Sequence, residues 1–196
     1  MTHRAWKLLV FGAVVIAAAA AFAAAQGRSS ASNKPSADWG LYSAAQWKAV
    51  SMSFGRRGFS RDSVRIVTGT RLANGESFAL IGARSNAGRT CFAVGRGTVL
   101  GTAICSISKP LLVFSAPDRC AACSPGGPAL KVKTVLGLVR PDVTATMISH
   151  GRESGLGLVP ARPGSAFNLS PVRPGDRLRA RDASGRVVAS ISFRSM

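Results

Sequence analysis

The first 25 residues contain a long apolar stretch behind a short basic start. Leu8 to Ala25 runs 18 residues without a charged or strongly polar side chain, and Arg4 and Lys7 precede it. A basic segment, an apolar segment and small residues at its end are the layout of a secretory signal peptide. Ala23 and Ala25 form an A-x-A site, which predicts cleavage after Ala25. Because the positive charges stay in the cytoplasm, the rest of the chain is expected outside the cytoplasmic membrane.

A retained membrane anchor is the alternative for residues 1–25. The run exceeds the apolar segment of about 7–15 residues that signal peptides carry and reaches the lower limit of about 17 for a spanning helix. Its second half, Ala17 to Ala25, is nearly all alanine, which is much less apolar than leucine and favours cleavage. No Cys follows the run directly, so a lipoprotein anchor is not expected. Residues 26–38 are polar and small and predict a flexible linker.

The next segment has the period of a helix. Apolar side chains recur at helical spacing, which predicts a short amphipathic helix within residues 39–54. The members of this stripe are Tyr42, Ala45, Ala49 and Met52. Arg56-Arg57-Gly58 is expected to end the helix, and Trp39 and Trp47 are expected to be packing groups.

From Val64 onward the period changes to two, which is typical of strands. Val64–Arg71 alternates, Asn74-Gly75 is a strong hairpin signal, and Glu76–Arg84 is the return strand. The further strands predicted before residue 129 are Cys91–Val94, Thr98–Ser106 and Leu111–Ser115.

After residue 129 the strand pattern continues. Val132–Val139 and Val143–Ser149 are predicted strands, and residues 151–176, rich in Gly and Pro, are predicted loops with one or two short strands. A hairpin closes the chain around Asp182-Ala183-Ser184-Gly185. Its apolar face is predicted to carry Leu178, Ala180, Val187, Ala189, Ile191 and Phe193.

These elements predict an all-β fold, either an Ig-like β-sandwich or two small β modules. It is preceded by the N-terminal signal or anchor helix, the linker and the short helix. The predicted organisation is 1–25 signal peptide or anchor, 26–38 linker, 39–128 helix plus disulfide-containing β segment, and 129–196 C-terminal β segment.

The last segment contains two stretches with a recognisable pattern, Val135-Leu136-Gly137-Leu138-Val139-Arg140-Pro141-Asp142-Val143 and Asp182-Ala183-Ser184-Gly185-Arg186-Val187-Val188. These stretches resemble small exported actinobacterial proteins of unknown function. The likeness covers the chain after Leu130 and implies an extracytoplasmic compartment and a β fold, but no activity. Where those proteins have an Asp-Gly turn after the strand, this chain has His150-Gly151-Arg152.

Charge narrows the class of partner. Residues 26–196 contain 24 Lys and Arg against 8 Asp and Glu, a formal charge of +16. Such a surface attracts polyanions. Outside the membrane, anionic cell-wall polymer or lipid headgroups are the expected partners, and nucleic acid is not. The alternative is that a GC-rich genome places Arg at neutral surface positions without a dedicated partner, since Ala, Gly, Val and Arg are abundant and Lys is scarce.

The densest basic feature is a row on the last hairpin. Strand spacing puts several of its members on one face, which predicts a stripe that binds anions; protection of a sheet edge is the alternative. The members are Arg177, Arg179 and Arg181, with Arg186 and Arg194 across the hairpin.

The cysteines are candidates for disulfides, because an even number outside the membrane favours pairing. Three pairings are possible; Cys91 with Cys105 and Cys120 with Cys123 ranks first, because the first two lie on neighbouring predicted strands. Cys120-Ala121-Ala122-Cys123 also has the spacing of a redox pair, but Ser124-Pro125-Gly126 cannot continue the helix that such chemistry uses. Zinc would need a second close pair of ligands, so no metal and no cofactor are predicted.

A hydrolase is the other catalytic possibility. It would use His150 with Ser149, Ser154 or Asp142, yet no G-x-S-x-G motif accompanies them, so an exposed loop histidine is favoured. The sequence therefore predicts a non-catalytic accessory or binding module of the cell envelope. The alternatives are an exported enzyme, using Cys120 and Cys123 or using His150, and a membrane-tethered sensor or assembly partner.

Overall fold

The computed structural model describes residues 40–124 and 126–194, and these form one helix, one 3-10 turn (Arg61–Ser63) and twelve strands in three antiparallel sheets. The predicted all-β class is thereby confirmed. The predictions for residues 1–25, residues 26–38 and Trp39 lie outside the described residues. No helix in the described part of the chain is long and apolar enough to span a membrane.

The single described helix, α1, spans Ala44–Arg56. A capping box starts it: the Gln46 N–H donates to Ser43 Oγ at 3.2 Å, and the Ser43 N–H donates to Gln46 Oε1 at 2.9 Å. The helix was predicted, and Tyr42 is buried as the predicted apolar stripe requires. The other three members of the stripe were wrong, because Ala45, Ala49 and Met52 are exposed. The face that packs on the protein instead carries Trp47, Val50 and Phe54.

The first sheet has the order β1-β2-β3-β4. Its strands are β1 (Arg65–Arg71), β2 (Ser77–Arg84), β3 (Thr90–Arg96) and β4 (Val99–Leu100). The hairpin at Asn74-Gly75 forms as predicted, and Gly75 has a φ of +82°, which glycine adopts without strain. The predicted strand Thr98–Ser106 is wrong over most of its length. Only β4 and an isolated bridge between Ile104 and Phe92 remain of it.

The second sheet has the order β5-β6-β10-β9. Its strands are β5 (Leu111–Cys120), β6 (Leu130–Val139), β9 (Val159–Pro160) and β10 (Ser165–Val172). All ten residues of β5 pair with β6, so the boundary predicted between residues 128 and 129 falls in a hairpin and the two segments share a sheet. The eight-residue β10 is an interior strand in a region predicted to be mostly loop.

The third sheet has the order β12-β11-β7-β8. Its strands are β7 (Thr144–Ser149), β8 (Arg152–Gly155), β11 (Arg177–Arg181) and β12 (Val187–Ser192). The predicted C-terminal hairpin is present, with a register shift after Ala180.

The layers follow from the alternation of side chains along the strands. On β6, Leu136 and Leu138 pack with residues of the first sheet, whereas Val135 and Val139 pack with residues of the third. Helix α1 covers the other face of the first sheet through Val50. The order is therefore helix, first sheet, second sheet, third sheet, which leaves the outer face of the third sheet free of a covering layer in the described residues.

Candidate functional site

The arginine row lies on the outer face of the third sheet. On β11, Leu178 and Ala180 are fully buried in the core between the second and third sheets. Because successive side chains of a strand point to opposite faces, Arg177, Arg179 and Arg181 lie on the side away from this core. Strand β11 is flanked by β12 and β7, so the row does not protect a sheet edge.

The neighbours of the row are mostly small and polar. Directly opposed residues of antiparallel strands share a face. Arg177 is opposite Ser192 of β12, and Arg179 lies between Ser190 of β12 and Thr146 of β7. On the β7 side Arg177 is opposite Ile148, which is larger than the hydroxyl side chains around Arg179. Arg177 is exposed and Arg179 is partly exposed.

One carboxylate, Glu153 of β8, lies close to the row. The Thr146 hydroxyl donates to Glu153 Oε1 at 2.6 Å, and Arg181 Nη2 lies 3.5 Å from the same oxygen. The Thr146 hydrogen bond, together with the charges of Arg181 and Arg179, outweighs burial and lowers the pKa of Glu153, so it is ionised at neutral pH. Within residues 40–124 and 126–194, neither Arg177 nor Arg179 has a carboxylate oxygen within 4.0 Å.

The other two predicted arginines lie apart from the row. The Arg186 N–H donates to Asp182 Oδ1 at 3.0 Å and its Nε donates to Oδ2 at 3.2 Å. The pKa of Asp182 is lowered, mainly by the Ser184 hydroxyl, so Arg186 is paired inside its own turn. Arg194 follows β12, and its carbonyl oxygen lies 3.5 Å from Lys133 Nζ.

Arg194 lines a basic cavity that the sequence pattern does not predict. It has a volume of about 140 Å³, and its basic lining residues are Lys131, Lys133, Arg173 and Arg194. They come from the start of β6, the β10–β11 connection and the end of the chain. Only the alternation Lys131-Val132-Lys133, which puts two lysines on one face, was a local signal for this cavity.

Most carboxylates of the described residues are used within the fold. Each accepts hydrogen bonds from a backbone N–H, a hydroxyl or an arginine of the chain; they are Glu76, Asp118, Asp142, Glu153, Asp176 and Asp182. The anionic groups therefore stabilise turns and strands, and the excess cationic groups remain at the surface.

His150 lies in the turn between β7 and β8. Its φ is +50° and that of Gly151 is +77°, and the imidazole is exposed with Nε2 3.5 Å from Arg173 Nη1. The serines considered as its nucleophile have other partners. The Ser149 hydroxyl donates to Asp176 Oδ1 at 2.7 Å, and the Ser154 hydroxyl donates to the Met147 carbonyl at 3.4 Å. Asp142 pairs with Arg140.

The four cysteines form two disulfides, in the pairing that ranks first by sequence. Cys91 of β3 bonds to Cys105, and Cys120 at the end of β5 bonds to Cys123. Cys91 is fully buried, whereas Cys120 and Cys123 are partly exposed at the tip of the β5–β6 hairpin. Disulfides of this kind are typical of proteins from oxidising, extracytoplasmic compartments.

Comparisons with protein-family models, with curated proteins and with solved structures find no match to this chain.

Proposed function

We propose that this protein is an extracytoplasmic, non-catalytic accessory or binding module of the cell envelope. Its outer sheet face binds an anionic wall polymer or anionic lipid headgroups. The observation that carries this proposal is the row Arg177, Arg179 and Arg181 on the uncovered face of the third sheet.

The spacing of the row suits a repeating anion. Residues two apart on a strand are separated by about 6.6 Å, since the rise is about 3.3 Å per residue. The guanidinium groups of Arg177 and Arg179 can each donate paired hydrogen bonds to a phosphate or carboxylate group. Arg181 adds positive charge to the line, although its Nη1 donates to the Gly185 carbonyl at 3.0 Å and its Nη2 lies 3.5 Å from Glu153. Because β11 is an interior strand held on both sides, the line is rigid and little ordering is needed on binding.

The compartment in this proposal is supported by two independent features. The basic start and apolar run of residues 1–25 favour export with cleavage after Ala25. The two disulfides need an oxidising environment to form and persist.

Loss of the row should weaken binding to a polyanion far more than an equal loss of charge elsewhere. The triple variant Arg177→Ser, Arg179→Ser, Arg181→Ser should elute from immobilised polyphosphate at clearly lower salt than the wild type. Salt screens such contacts over about 10 Å at 0.1 M, so a sodium chloride gradient is the measurement.

The matched control removes three exposed arginines away from the row: Arg65 of β1, Arg84 of β2 and Arg89 of the β2–β3 turn. The control should retain most of the wild-type binding. Equal weakening by both triple variants would show that only total charge matters, and retention independent of salt would contradict the proposed surface.

A further inference from the structure

The second and third sheets leave an apolar groove along one side. Their edge strands on this side, β5 and β12, line a groove of about 590 Å³. Its apolar lining includes Leu111 and Val113 of β5 with Ala189 and Ile191 of β12, and Phe193 after it. This volume is within the range of about 300–1,000 Å³ for small-molecule sites.

Side-chain alternation explains why the groove is apolar. Leu111 and Val113 of β5 belong to the core between the second and third sheets, as do Ala189 and Ile191 of β12. The groove is therefore the place where side chains of that core are accessible between the edges of the two sheets. A ligand in the groove would lie between the second and third sheets.

Lys109 lines the groove beside Leu111, and the opposite end of the groove is more strongly basic. On β6, the residues of the face towards the third sheet change from Val139 and Val135 to Lys133 and Lys131. This change occurs near Phe193, and Phe193 lines both the apolar groove and the basic cavity of about 140 Å³. Arg173 and Arg194 complete the cationic lining.

We propose that the groove and the cavity together bind one anionic phospholipid, with an acyl chain along the groove and the headgroup phosphate in the cavity. Four cationic side chains around a small cavity match the charge and the several acceptor oxygens of a phosphate. The apolar margin has the chemistry that an acyl chain needs. The site lies between the second and third sheets, away from the arginine row, so it goes beyond the polymer-binding proposal and does not rest on it.

The test compares three probes by titration calorimetry on the full chain, below their micelle concentrations. Lysophosphatidylglycerol has one acyl chain and an anionic head, lysophosphatidylcholine has the same chain and a zwitterionic head, and glycerol 3-phosphate has no chain. The first should bind at least tenfold more tightly than either of the others. Equal affinity for the two lysolipids would overturn the proposal.

A substitution that fills the groove distinguishes lipid binding in the groove from lipid binding by the apolar residues 8–25. All variants retain those residues, so only binding in the groove should change. Ser115 is an exposed β5 residue that lines the groove, so Ser115→Trp should reduce lysophosphatidylglycerol affinity tenfold or more while the circular dichroism spectrum is unchanged. Val99→Trp, at a β4 residue that is 73% exposed and lines neither the groove nor the basic cavity, is the control and should bind as the wild type does.

The cationic end is tested separately. Lys131→Gln with Lys133→Gln should abolish the preference for the anionic over the zwitterionic lysolipid while the affinity for the zwitterionic one stays the same. The triple variant at Arg177, Arg179 and Arg181 should keep the preference for lysophosphatidylglycerol over glycerol 3-phosphate, because a headgroup held on the arginine row alone would not depend on the acyl chain. Failure of the proposal for the arginine row would therefore leave this result intact. A dimer in the wild type that Ser115→Trp dissociates would indicate a second copy in the groove and would overturn the lipid proposal.

Discussion

Gly137 shows how a missing side chain shapes the second sheet. It lies on β6 directly opposite Phe167 of β10, and the phenyl ring occupies the space above it. A Cβ at this position would lie 2.6 Å from the Leu112 carbonyl oxygen and would overlap the Phe167 ring. The glycine is therefore required by close packing in the core between the second and third sheets.

Gly137→Ala is accordingly expected to destabilise the fold. Overpacking a core of this kind costs about 1–3 kcal/mol, and chemical denaturation measures it as a lower midpoint. Gly155→Ala is the control, since a Cβ on Gly155 of β8 meets nothing within 4 Å and should change stability by less than about 0.5 kcal/mol. The same loss in both variants would contradict the role of the Phe167 contact.

Single residues also show the limits of prediction from sequence. The positions of Arg177, Arg179 and Arg181 on one face followed from a strict period of two next to a clear turn. That β11 is an interior strand did not follow, because its neighbour β7 is distant in sequence. The basic cavity was missed for the same reason, since Lys133, Arg173 and Arg194 meet only in the folded chain.

At the scale of elements, Asp118 of β5 connects two sheets. Its Oδ1 accepts a hydrogen bond of 2.8 Å from the Ala73 N–H in the β1–β2 turn, and its Oδ2 accepts one of 2.8 Å from the Thr134 hydroxyl of β6. Burial alone would raise the pKa of Asp118, but hydrogen bonds from Ala73, Thr134 and Arg119 outweigh it and lower the pKa. The ionised carboxylate thus holds a turn of the first sheet on the second.

Asp118→Asn should weaken this connection at neutral pH. Hydrogen bonds to a charged acceptor are worth about 1.5–3 kcal/mol, and partial exposure reduces this to roughly 1–2 kcal/mol. Because the folded pKa is below the unfolded value of about 3.9, the stabilisation is complete well above that pH and is lost as pH falls through the folded pKa. Urea unfolding at a series of pH values should therefore show a difference in the free energy of unfolding between wild type and variant at pH 7 that narrows as the pH falls below about 4. A difference independent of pH would contradict the role of the charge.

Helices and strands were predicted correctly where the local sequence pattern and the packing in the folded chain favour the same structure. The hairpins at Asn74-Gly75 and Asp182–Gly185 have turn residues between alternating strands, and both form. Strand β10 was missed because Asn168 and Pro171 interrupt its apolar pattern and its stability comes from pairing with β6. Helix α1 has two candidate stripes, and only contact with the first sheet selects the one with Val50 and Phe54.

At the scale of the whole molecule, the charges are divided by role. Six carboxylates of the described residues have hydrogen-bonding partners in turns and strands. Residues 26–196 carry 24 Lys and Arg but only 8 Asp and Glu, so the cationic groups outnumber the carboxylates by 16. This division gives a surface that attracts anions without unpaired buried charge. Composition predicted the excess, but not that it forms a row on one sheet and a cavity beside Phe193.

The two disulfides close loops of different length and differ in exposure. The disulfide that stabilises the fold more is therefore expected to be the less accessible to reductant. Cys91–Cys105 closes a separation of 14 residues on the connection from the first sheet to the second, and Cys120–Cys123 closes a separation of 3 at a hairpin tip. Chain-entropy arguments give about 3 kcal/mol for the longer loop and less than about 2 kcal/mol for the shorter. Replacing Cys91 and Cys105 by Ala should therefore lower the urea midpoint more than replacing Cys120 and Cys123.

Accessibility should follow the reverse order, because Cys91 is fully buried and only Cys105 of that bridge is partly exposed, whereas both Cys120 and Cys123 are partly exposed. Mild reduction followed by alkylation and mass spectrometry should label Cys120 and Cys123 first, while the protein keeps its β circular dichroism. Early labelling of Cys91 would mean that the connection between the first and second sheets opens before the hairpin tip does. In that case Cys91–Cys105 would stabilise the fold without keeping the connection between the first and second sheets closed.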